Sequence, residues 1–334
     1  MLIKVTTGRP ENSGLCLRQT PSGKGFWGNN QFIVNQEVDH CDWWVVCHSS
    51  SLVMPEVTRC DPDHIVYISM EPAEWVPSGF HTQFSKLILC DRKVQHRDIQ
   101  YANGLTWWVG ISVRHENGHH FSPDYSLDYD SLRAMPVSVK QKCMSVICSK
   151  NNSLPGHKKR LAFLKRLKAH PVSQYIDFFG GDFRPILDKW DAIAPYKYHL
   201  VLENSVVPDY WSEKLADAYL GFALPIYSGC PNIPDYFAPH ALCVINIDDF
   251  EGSAARLQNL LQQDNYDSYV PSIIEARKLV LDKYNIFQMM TEICNKKAKR
   301  QVLCKLKPVS HIMRSWPRRM ARKALYYVRG IKEN

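Results

Sequence analysis

A strand-to-helix junction at residues 203–214, ENSVVPDYWSEK, concentrates side chains that are suited to binding an anion. Ser212 is placed to cap a helix that begins with Glu213 and Lys214. The free N–H groups and the dipole of a helix N-terminus favour anions, and a lysine there is unfavourable unless an anion is bound. The position of Lys214 therefore indicates a phosphate or pyrophosphate ligand, and a solvated surface cation is the alternative.

A second stretch, SKNNSLPGHKKR at residues 149–160, has the same organisation. It follows the apolar run 143–148 and carries His157 and Arg160 into the start of a helix. In open α/β sheets, ligands bind where such loops leave the carboxyl ends of the strands. His157 is close enough to Arg160 to contact the same phosphate, although an ordinary loop histidine is equally consistent. The predicted anion-binding side chains are Asn204, Tyr210, Glu213 and Lys214 from the first stretch and His157 and Arg160 from the second.

Apolar runs that alternate with helical stretches must position these loops. Runs of this kind, bounded by polar segments, are typical of buried strands, and their alternation with helices indicates parallel sheets with crossover helices. Two such series are separated by a polar stretch at residues 114–141. We therefore predict an α/β fold with two Rossmann-like lobes whose parallel sheets face a cleft, divided as 1–140, 141–295 and a basic tail at 296–334. The predicted strands are 43–47, 64–69 and 86–90 in the first series, with 106–113 as a strand or a strand plus loop, and 143–148, 175–180, 198–203, 224–229 and 241–247 in the second; helices are predicted over 158–169 and 253–263.

Composition limits the class of protein. The 334 residues suffice for about two domains, and 45% of them are hydrophobic. The N-terminus lacks the apolar core of a signal peptide, and no run approaches the roughly 18 apolar residues of a membrane-spanning helix, so we expect a cytoplasmic protein. Residues 296–334 contain 13 Lys/Arg and one acidic residue, whereas residues 1–295 contain 28 basic and 32 acidic residues. This mildly acidic body argues against a nucleic-acid channel. There is no GxGxxG and no GxxxxGK[ST] motif, which argues against a dinucleotide oxidoreductase and a P-loop NTPase.

The stretch YKYHLVLENSVVPDYWSEKLADAYLGFALPIYSGCPNIPDYF at residues 196–237 resembles the donor-binding signature of the α1,3/1,4-fucosyltransferase family. That signature consists of YK, then EN, Y-x-[ST]-EK, a helix, P-[IV]-Y/V-x-G and an aromatic residue before F. The segment VICSKNNSLPGHKKR at residues 146–160 resembles the family's earlier strand, loop and arginine. The similarity covers residues 141–250 well and the first lobe only loosely. The resemblance implies a GT-B fold and an inverting transferase that uses GDP-fucose as its donor.

The resemblance also implies roles for individual residues. Arg160 and Lys214 bind the diphosphate with help from Tyr210 and Asn204, and Glu213 hydrogen-bonds ribose hydroxyls or the charge that develops on the sugar. No cofactor or metal ion is implied, because cationic side chains take the place of a divalent ion. The acceptor is expected to be a hydroxyl of a cell-surface glycan of the O-antigen or lipopolysaccharide type, in an α1,3-type linkage. A different nucleotide-sugar donor, or a non-catalytic relative that binds glycan or membrane, stays open.

An inverting displacement also needs a general base for the acceptor hydroxyl. The predicted strand 64–69 is followed by MEPAEW, which places Glu71 just past a carboxyl end. The family has a glutamate after the corresponding strand, so we predict Glu71 as the catalytic base and Glu74 as the runner-up; a capping or solvated glutamate is the alternative. Asp128 and Asp130 form a D-x-D, which in a polar linker is more typical of turns. The histidines between residues 115 and 120 lack a clearly placed carboxylate, so we do not predict zinc.

The tail has the pattern of a basic amphipathic helix. Residues 318–329, RRMARKALYYVR, place alanine, leucine and valine at i, i+3, i+4 and i+7 among basic residues, and Trp316 precedes them. This pattern predicts attachment to an anionic membrane surface through residues 308–334, at the inner face of the cytoplasmic membrane. A solvated tail or a helix packed on the first lobe is the alternative. No nucleic-acid partner is expected, because no aromatic–basic module accompanies the charge.

Overall fold

The structure is a computed structural model with an α/β architecture. It describes residues 1–8, 13–77, 79–114 and 120–313. The strands are β1 (Leu2–Thr7), β2 (Phe26–Trp27), β3 (Asn30–Val34), β4 (Trp43–Cys47), β5 (Glu56–Cys60), β6 (Ile65–Ile68), β7 (Lys86–Leu89), β8 (Ile99–Tyr101), β9 (Ile111–Arg114), β10 (His120–Tyr125), β11 (Lys142–Ile147), β12 (Ile176–Phe179), β13 (Tyr196–Leu202), β14 (Leu224–Ser228), β15 (Cys243–Val244) and β16 (Val302–Leu306). The α-helices are α1 (Ser13–Leu17), α2 (Tyr129–Ala134), α3 (Pro155–Ala169), α4 (Glu213–Leu220), α5 (Phe250–Gln263), α6 (Tyr266–Lys278), α7 (Ile286–Ile293) and α8 (Val309–Ile312).

The chain divides into two compact units, each built on its own sheet. Unit 1 comprises Met1–Ser13, Gly25–Gly104 and Met290–Asn334, and unit 2 comprises Gly14–Lys24 and Leu105–Met289. Two separate, mainly parallel sheets confirm the predicted α/β class. The predicted GT-B arrangement of the two sheets about a cleft stays a prediction.

The sheet of unit 2 is parallel throughout, with the strand order β12-β11-β13-β14-β15. The order reverses between β11 and β13, and the connections that leave two such strands open a crevice at the carboxyl edge of the sheet. All five residues of β14 are buried, as are six of the seven in β13, as expected for strands covered on both faces. The loops after β11 and β13 are the two that the sequence predicts to bind an anion, so the topology places them side by side.

The sheet of unit 1 has the order β2-β3-β1-β4-β6-β7-β8. Its strands pair in parallel except for β2, which pairs antiparallel with β3. The strand order reverses between β1 and β4, and β6 lies next to β4. The segment that contains Glu71 and Glu74 leaves the carboxyl end of β6, as predicted.

Residues 105–114 and 120–140 pack with unit 2, whereas the sequence analysis grouped them with the first lobe. The contacts of Arg18, which is fully buried, explain this difference. Its guanidinium donates hydrogen bonds to the carbonyl oxygens of Trp107 at 2.8 Å, Val109 at 3.0 Å and Leu127 at 2.6 Å. Long-range contacts of this kind leave no pattern in the sequence. The run at 106–113 forms a strand only from Ile111, and the polar connection contains β10 and α2.

The first part of the predicted tail belongs to the fold of unit 1. Strand β16 pairs antiparallel with β5, and Leu306 and Ile312 are buried in the same core cluster as Trp44. The amphipathic pattern at 318–329, with Trp316, lies outside the described residues, so its helix and its membrane contact stay predictions. Within residues 1–8, 13–77, 79–114 and 120–313, no helix is long and apolar enough to span a bilayer.

Candidate active site

The loop between β13 and α4 is organised around a buried carboxylate. Glu203 follows the last residue of β13 and is 3% exposed. Its Oε1 accepts hydrogen bonds from the backbone N–H of Ser212 at 2.8 Å and from the Ser212 hydroxyl at 2.9 Å. Ser212 is the N-cap of α4, as predicted. A side chain at Gly229 would collide with Glu203, so the glycine after β14 makes room for this carboxylate. The strand end therefore holds the first turn of α4 in place.

Lys214 lies between two carboxylates in that first turn. Its Nζ is 3.1 Å from Glu213 Oε1, 3.1 Å from Ser212 Oγ and 3.5 Å from Glu203 Oε2. Burial alone would lower the pKa of Lys214, but the carboxylates of Glu213 and Glu203 outweigh it and raise that pKa. The side chain is 27% exposed, so the ammonium group is charged and still accessible to a ligand.

Glu213 is held ionised by two ammonium groups. Its side chain is 24% exposed, and Oε1 is 3.1 Å from Lys214 Nζ and 3.6 Å from Lys189 Nζ. Burial would raise the pKa of this carboxyl, but Lys214 and Lys189 together lower it to about 2. Glu213 can therefore accept hydrogen bonds from a ligand at any physiological pH.

Lys189 and Asp217 complete this cluster, and the sequence analysis identified neither. Lys189 begins a short turn before β13, and its Nζ is 2.9 Å from Asp217 Oδ2. Asp217 is on α4, one turn after Glu213, and its Oδ1 accepts the backbone N–H of Trp108 at 2.8 Å. Burial raises the pKa of Asp217, and the lysine opposes that effect. The four-residue spacing of Glu213 and Asp217 on a helix was the one available signal for Asp217; nothing local pointed to Lys189.

The loop after β11 supplies Arg160 and His157 from the first turns of α3. Arg160 is 5% exposed, and its guanidinium donates to the carbonyl oxygen of Leu202 at 3.3 Å and to Ser149 Oγ at 3.5 Å. Burial, Arg160 and Lys214 lower the pKa of His157, so this histidine is neutral near pH 7. His157 can therefore act as a hydrogen-bonding group towards an anion and not as a third cation.

The two loops are in direct contact. A Cβ atom at Gly156, in the first turn of α3, would overlap the backbone carbonyl oxygen of Asn204. Only glycine allows this approach, which brings Arg160, Asn204 and Lys214 together at the carboxyl edge of β11 and β13. Two buried polar atoms at this place, Arg160 Nε and Asn204 Oδ1, have no hydrogen-bond partner among the residues that the structure describes. Buried polar atoms are rarely left unpaired, so both atoms indicate a polar ligand.

Tyr210 and Trp211 lie in the interior beside this site. Tyr210 is 3% exposed and follows Asp209, whose φ of 65° turns the chain towards α4. The predicted contact of Tyr210 with the diphosphate stays a prediction, and only the small exposed part of this side chain could make it. Trp211 is 4% exposed and packs edge-to-face on Phe237 and Tyr284, with ring centroids 5.0 and 5.3 Å apart, so it is part of the core beside this site.

The two glutamates after β6 have different surroundings. Glu74 has an 8% exposed side chain and accepts hydrogen bonds from Ser69 Oγ at 2.6 Å, Tyr67 OH at 2.7 Å and the backbone N–H of Ser49 at 3.1 Å. Burial would raise its pKa, but His48 and these donors outweigh burial and lower it. Glu71 is exposed and is held through its backbone, whose N–H donates to Ser69 Oγ at 3.2 Å.

The D-x-D aspartates have structural contacts. Asp128 is the N-cap of α2, where its side chain accepts the backbone N–H of Ser131 at 2.8 Å, and Asp130 accepts the backbone N–H of Ser22 at 2.6 Å. In the part of the chain that the structure describes, no group of three or more His, Cys, Asp or Glu residues is arranged to hold a metal ion. The histidines at 115 and 119 lie outside that part.

Comparison with known proteins places these loops in a family. The model of glycosyltransferase family 10 (fucosyltransferase), C-terminal part, matches residues 137–309, which is more than half of the chain. α-(1,3)-Fucosyltransferase B of Drosophila melanogaster is 28% identical over 125 residues, which cover 36% of this chain and 28% of that protein. 3-Galactosyl-N-acetylglucosaminide 4-α-L-fucosyltransferase FUT3 of Bos taurus is 31% identical over 140 residues, which cover 40% of this chain and 36% of that protein. The chain thus spans about a third of the length of these curated relatives.

A crystal structure of an α1,3-fucosyltransferase with GDP is similar over 86% of this chain and 92% of that one, with a TM-score of 0.48 and 16% identity. The family match contains Arg160, Asn204, Glu213 and Lys214, together with Lys189 and Asp217. The chain belongs to glycosyltransferase family 10, the fucosyltransferase family.

Proposed function

We propose that this protein transfers L-fucose from GDP-fucose to a hydroxyl of a cell-surface glycan of the O-antigen or lipopolysaccharide type, with inversion and in an α1,3-type linkage. The observation that carries the proposal is the meeting of two family-matched loops at the switch point of the sheet in unit 2. There, Arg160 Nε and Asn204 Oδ1 are buried without a hydrogen-bond partner in the described part of the chain, beside the accessible ammonium group of Lys214.

The charges at this site suit a diphosphate. Lys214 and Lys189 contact the carboxylates of Glu203, Glu213 and Asp217. With Arg160 from the neighbouring loop, three cations match three carboxylates, so the cluster is formally neutral when His157 is uncharged. The N-termini of α3 and α4 add partial positive charge and free N–H groups, which favour an anion. We expect the diphosphate to displace the carboxylates as the partner of Lys214 and to take up the unpaired Nε of Arg160.

The chemistry then needs two contributions from the protein. Charge on the leaving diphosphate is stabilised by Arg160 and Lys214, since preorganised cations lower the energy of the transition state. Glu71 of unit 1 takes the proton of the acceptor hydroxyl as a general base. Glu213 accepts hydrogen bonds from ribose hydroxyls or faces the positive charge that develops on the sugar ring. Under this proposal the cationic side chains do the work of a divalent ion.

A donor screen tests the proposal. GDP-fucose, GDP-mannose and uridine-linked sugars are supplied in turn with a glycan acceptor, and release of the nucleoside diphosphate is measured. We expect release from GDP-fucose and its loss in Lys214→Ala. Release from another nucleotide sugar alone would favour the same fold with a different donor. Failure of every donor to bind would favour a non-catalytic relative.

The location of the protein is a second proposal. We propose that residues 314–334 attach the protein to the inner face of the cytoplasmic membrane, because this segment is basic with an amphipathic pattern. Ile312 is buried in the core of unit 1, so a truncation after residue 313 removes the segment and keeps that contact. The truncated protein should sediment less with anionic liposomes and should bind GDP as before. Equal sedimentation would overturn the membrane proposal.

A further inference from the structure

Lys189 lies beside the proposed donor site, but it has no role in the proposed reaction and is not part of the family signature found in the sequence. It lies in the turn Lys189–Ala192, which is held by Asp188 through hydrogen bonds from the backbone N–H groups of Trp190 at 2.8 Å and Gly110 at 2.9 Å. Its ammonium group is 2.9 Å from Asp217 and 3.6 Å from Glu213, and its side chain is 28% exposed. The lysine is therefore fixed at both ends beside the predicted donor-binding carboxylate.

Glu213 needs a second cation because Lys214 is shared. Lys214 contacts Glu203 and Glu213 and is also the predicted partner of the diphosphate. A bound diphosphate competes for that ammonium group, and an ammonium group that is shared with a ligand fixes the Glu213 carboxylate less firmly. Lys189 does not face the same competition, because the buried carboxylate of Asp217 holds it from the next turn of α4.

We propose that Lys189, held by Asp217, is a positioning residue that fixes the Glu213 carboxylate in its ionised form beside the bound sugar nucleotide. The proposal rests on the proposed function, since it presupposes that GDP-fucose binds at this site. Lys189 acts through Glu213 and contacts no substrate itself. An ionised carboxylate is needed because it accepts hydrogen bonds from ribose hydroxyls, whereas a protonated one has a donor in that place.

The other charged groups around Glu213 also affect whether its carboxyl group is protonated. Lys214 favours the ionised form, and burial, together with the negative charge of Asp217, opposes it. Histidine His199 is neutral, because burial and Lys189 lower its pKa to about 3. The charged and titratable groups near Glu213 are Lys214 and Asp217 on α4, Lys189 before β13, Glu203 and His199 on or after β13, and Arg160 and His157 on α3.

The test measures GDP-fucose binding by calorimetry, without acceptor, from about pH 4 to about pH 8. GDP-fucose is a diphosphate diester and does not titrate in that interval, so a change of affinity with pH reports on the protein. Four proteins are compared: the wild type, Lys189→Met, Lys189→Arg, and Lys189→Met combined with Asp217→Asn. The double variant removes the buried carboxylate that the single variant would leave without its ammonium group.

We expect the affinity of Lys189→Met, relative to the wild type, to fall by about threefold more at the acidic end than at the neutral end. Ribose hydroxyls donate to the ionised carboxylate, so binding favours the ionised form of Glu213. Loss of the cation raises the pKa of Glu213 in the free variant towards the tested interval, and affinity therefore falls as the pH falls through that pKa. Lys189→Arg should restore the wild-type profile. The double variant should keep an acidic loss that is smaller than in Lys189→Met, because one repelling carboxylate is also gone.

Three outcomes decide the matter. An unchanged pH profile in Lys189→Met would overturn the inference, since Glu213 would then not depend on Lys189. A wild-type profile in the double variant would also overturn it, because Lys189 would serve only to neutralise Asp217. If the wild type does not bind GDP-fucose at all, the proposed function fails and this inference fails with it. If Lys189→Met does not fold, the double variant and Lys189→Arg still give the comparison.

Discussion

The carboxylates at the carboxyl edges of the two sheets have different partners, which are ammonium groups in unit 2 and mainly neutral hydrogen-bond donors in unit 1. In unit 2, Glu213 contacts the ammonium groups of Lys214 and Lys189, and burial of Glu203 is compensated by Ser212 and Lys214. In unit 1, Glu74 is held mainly by neutral donors, and His48 Nε2 is 3.7 Å away. Glu71, three residues earlier, is exposed.

These surroundings suit different tasks. A carboxylate whose pKa is held low accepts hydrogen bonds and organises a site, whereas a general base must exchange a proton. Three hydrogen bonds and a lowered pKa make Glu74 a weak base, because a general base works best with a pKa near the operating pH. The pKa of Glu213 is lowered to about 2, which suits a permanent acceptor of hydrogen bonds. Glu71 is exposed, and its role as the general base stays a prediction.

The largest expected effect is that of replacing Glu71, the predicted general base in unit 1. Glu71→Gln keeps the shape of the side chain but cannot accept a proton, so fucose transfer should fall by about 10²–10⁴-fold while GDP affinity stays unchanged. The measurement is the initial rate of transfer with calorimetry of GDP binding beside it.

Glu74→Gln is the matched control. It replaces one acceptor oxygen by an NH₂ group that faces hydroxyl and N–H donors, so we expect a lower melting temperature and a smaller effect on transfer. If Glu74→Gln abolishes transfer and Glu71→Gln transfers fucose normally, Glu74 and not Glu71 is the general base.

The next effect concerns the cations of unit 2. Arg160→Ala and Lys214→Ala each remove a charge-assisted contact to phosphate, and each should weaken GDP binding by about ten- to a hundredfold. Lys159→Ala is a suitable control, because Lys159 is on the same helix but 60% exposed and paired with Asp248 at 2.9 Å. Near-wild-type affinity in both test variants, measured by calorimetry, would rule out this site.

A smaller effect is the pH dependence of stability that Glu213 contributes. Its pKa in the folded protein, about 2, is below the unfolded value near 4.5, so its stabilising contribution is complete above about pH 5 and is lost as the pH falls towards 2. With discounting for partial exposure, we expect Glu213→Gln to lower the free energy of unfolding by about 1–2 kcal/mol at neutral pH.

Chemical denaturation at neutral pH and near pH 3 measures this difference. The gap between wild type and Glu213→Gln should narrow as the pH falls. A gap that widens in acid would contradict the two-lysine environment of this carboxylate.

The smallest expected effect on activity is that of the D-x-D aspartates. Transfer should persist in excess EDTA and in Asp128→Ala and Asp130→Ala, because both side chains hold backbone N–H groups. Loss of the N-cap in Asp128→Ala should still cost about 1 kcal/mol of stability, which a thermal melt will detect. Complete loss of transfer in EDTA would show that transfer needs a metal ion.

Local patterns in the sequence were sufficient for the parts of the site that lie on one segment. The N-cap at Ser212, the start of α4 at Glu213 and the buried strand before Glu203 were predicted from signals within a few residues of each other. Helix α3 begins at Pro155, three residues before the predicted start, because proline is well suited to the first turn of a helix. The predicted strand at 241–247 is reduced to Cys243–Val244, which pairs with β14 alone.

The remaining features of the site depend on contacts between segments that are distant in the sequence. The order of β11 and β13, which places the loops of Arg160 and Lys214 together, arises from strand pairing that no single segment encodes. Lys189 reaches Asp217 and Glu213 from 28 and 24 residues away, and the fully buried Arg18 assigns residues 105–127 to unit 2 through carbonyl oxygens. Such pairings depend on packing and on compensation of buried charge, which are properties of the folded chain. The sequence by itself determined which residues could bind a diphosphate, and the tertiary structure decided which charges surround them.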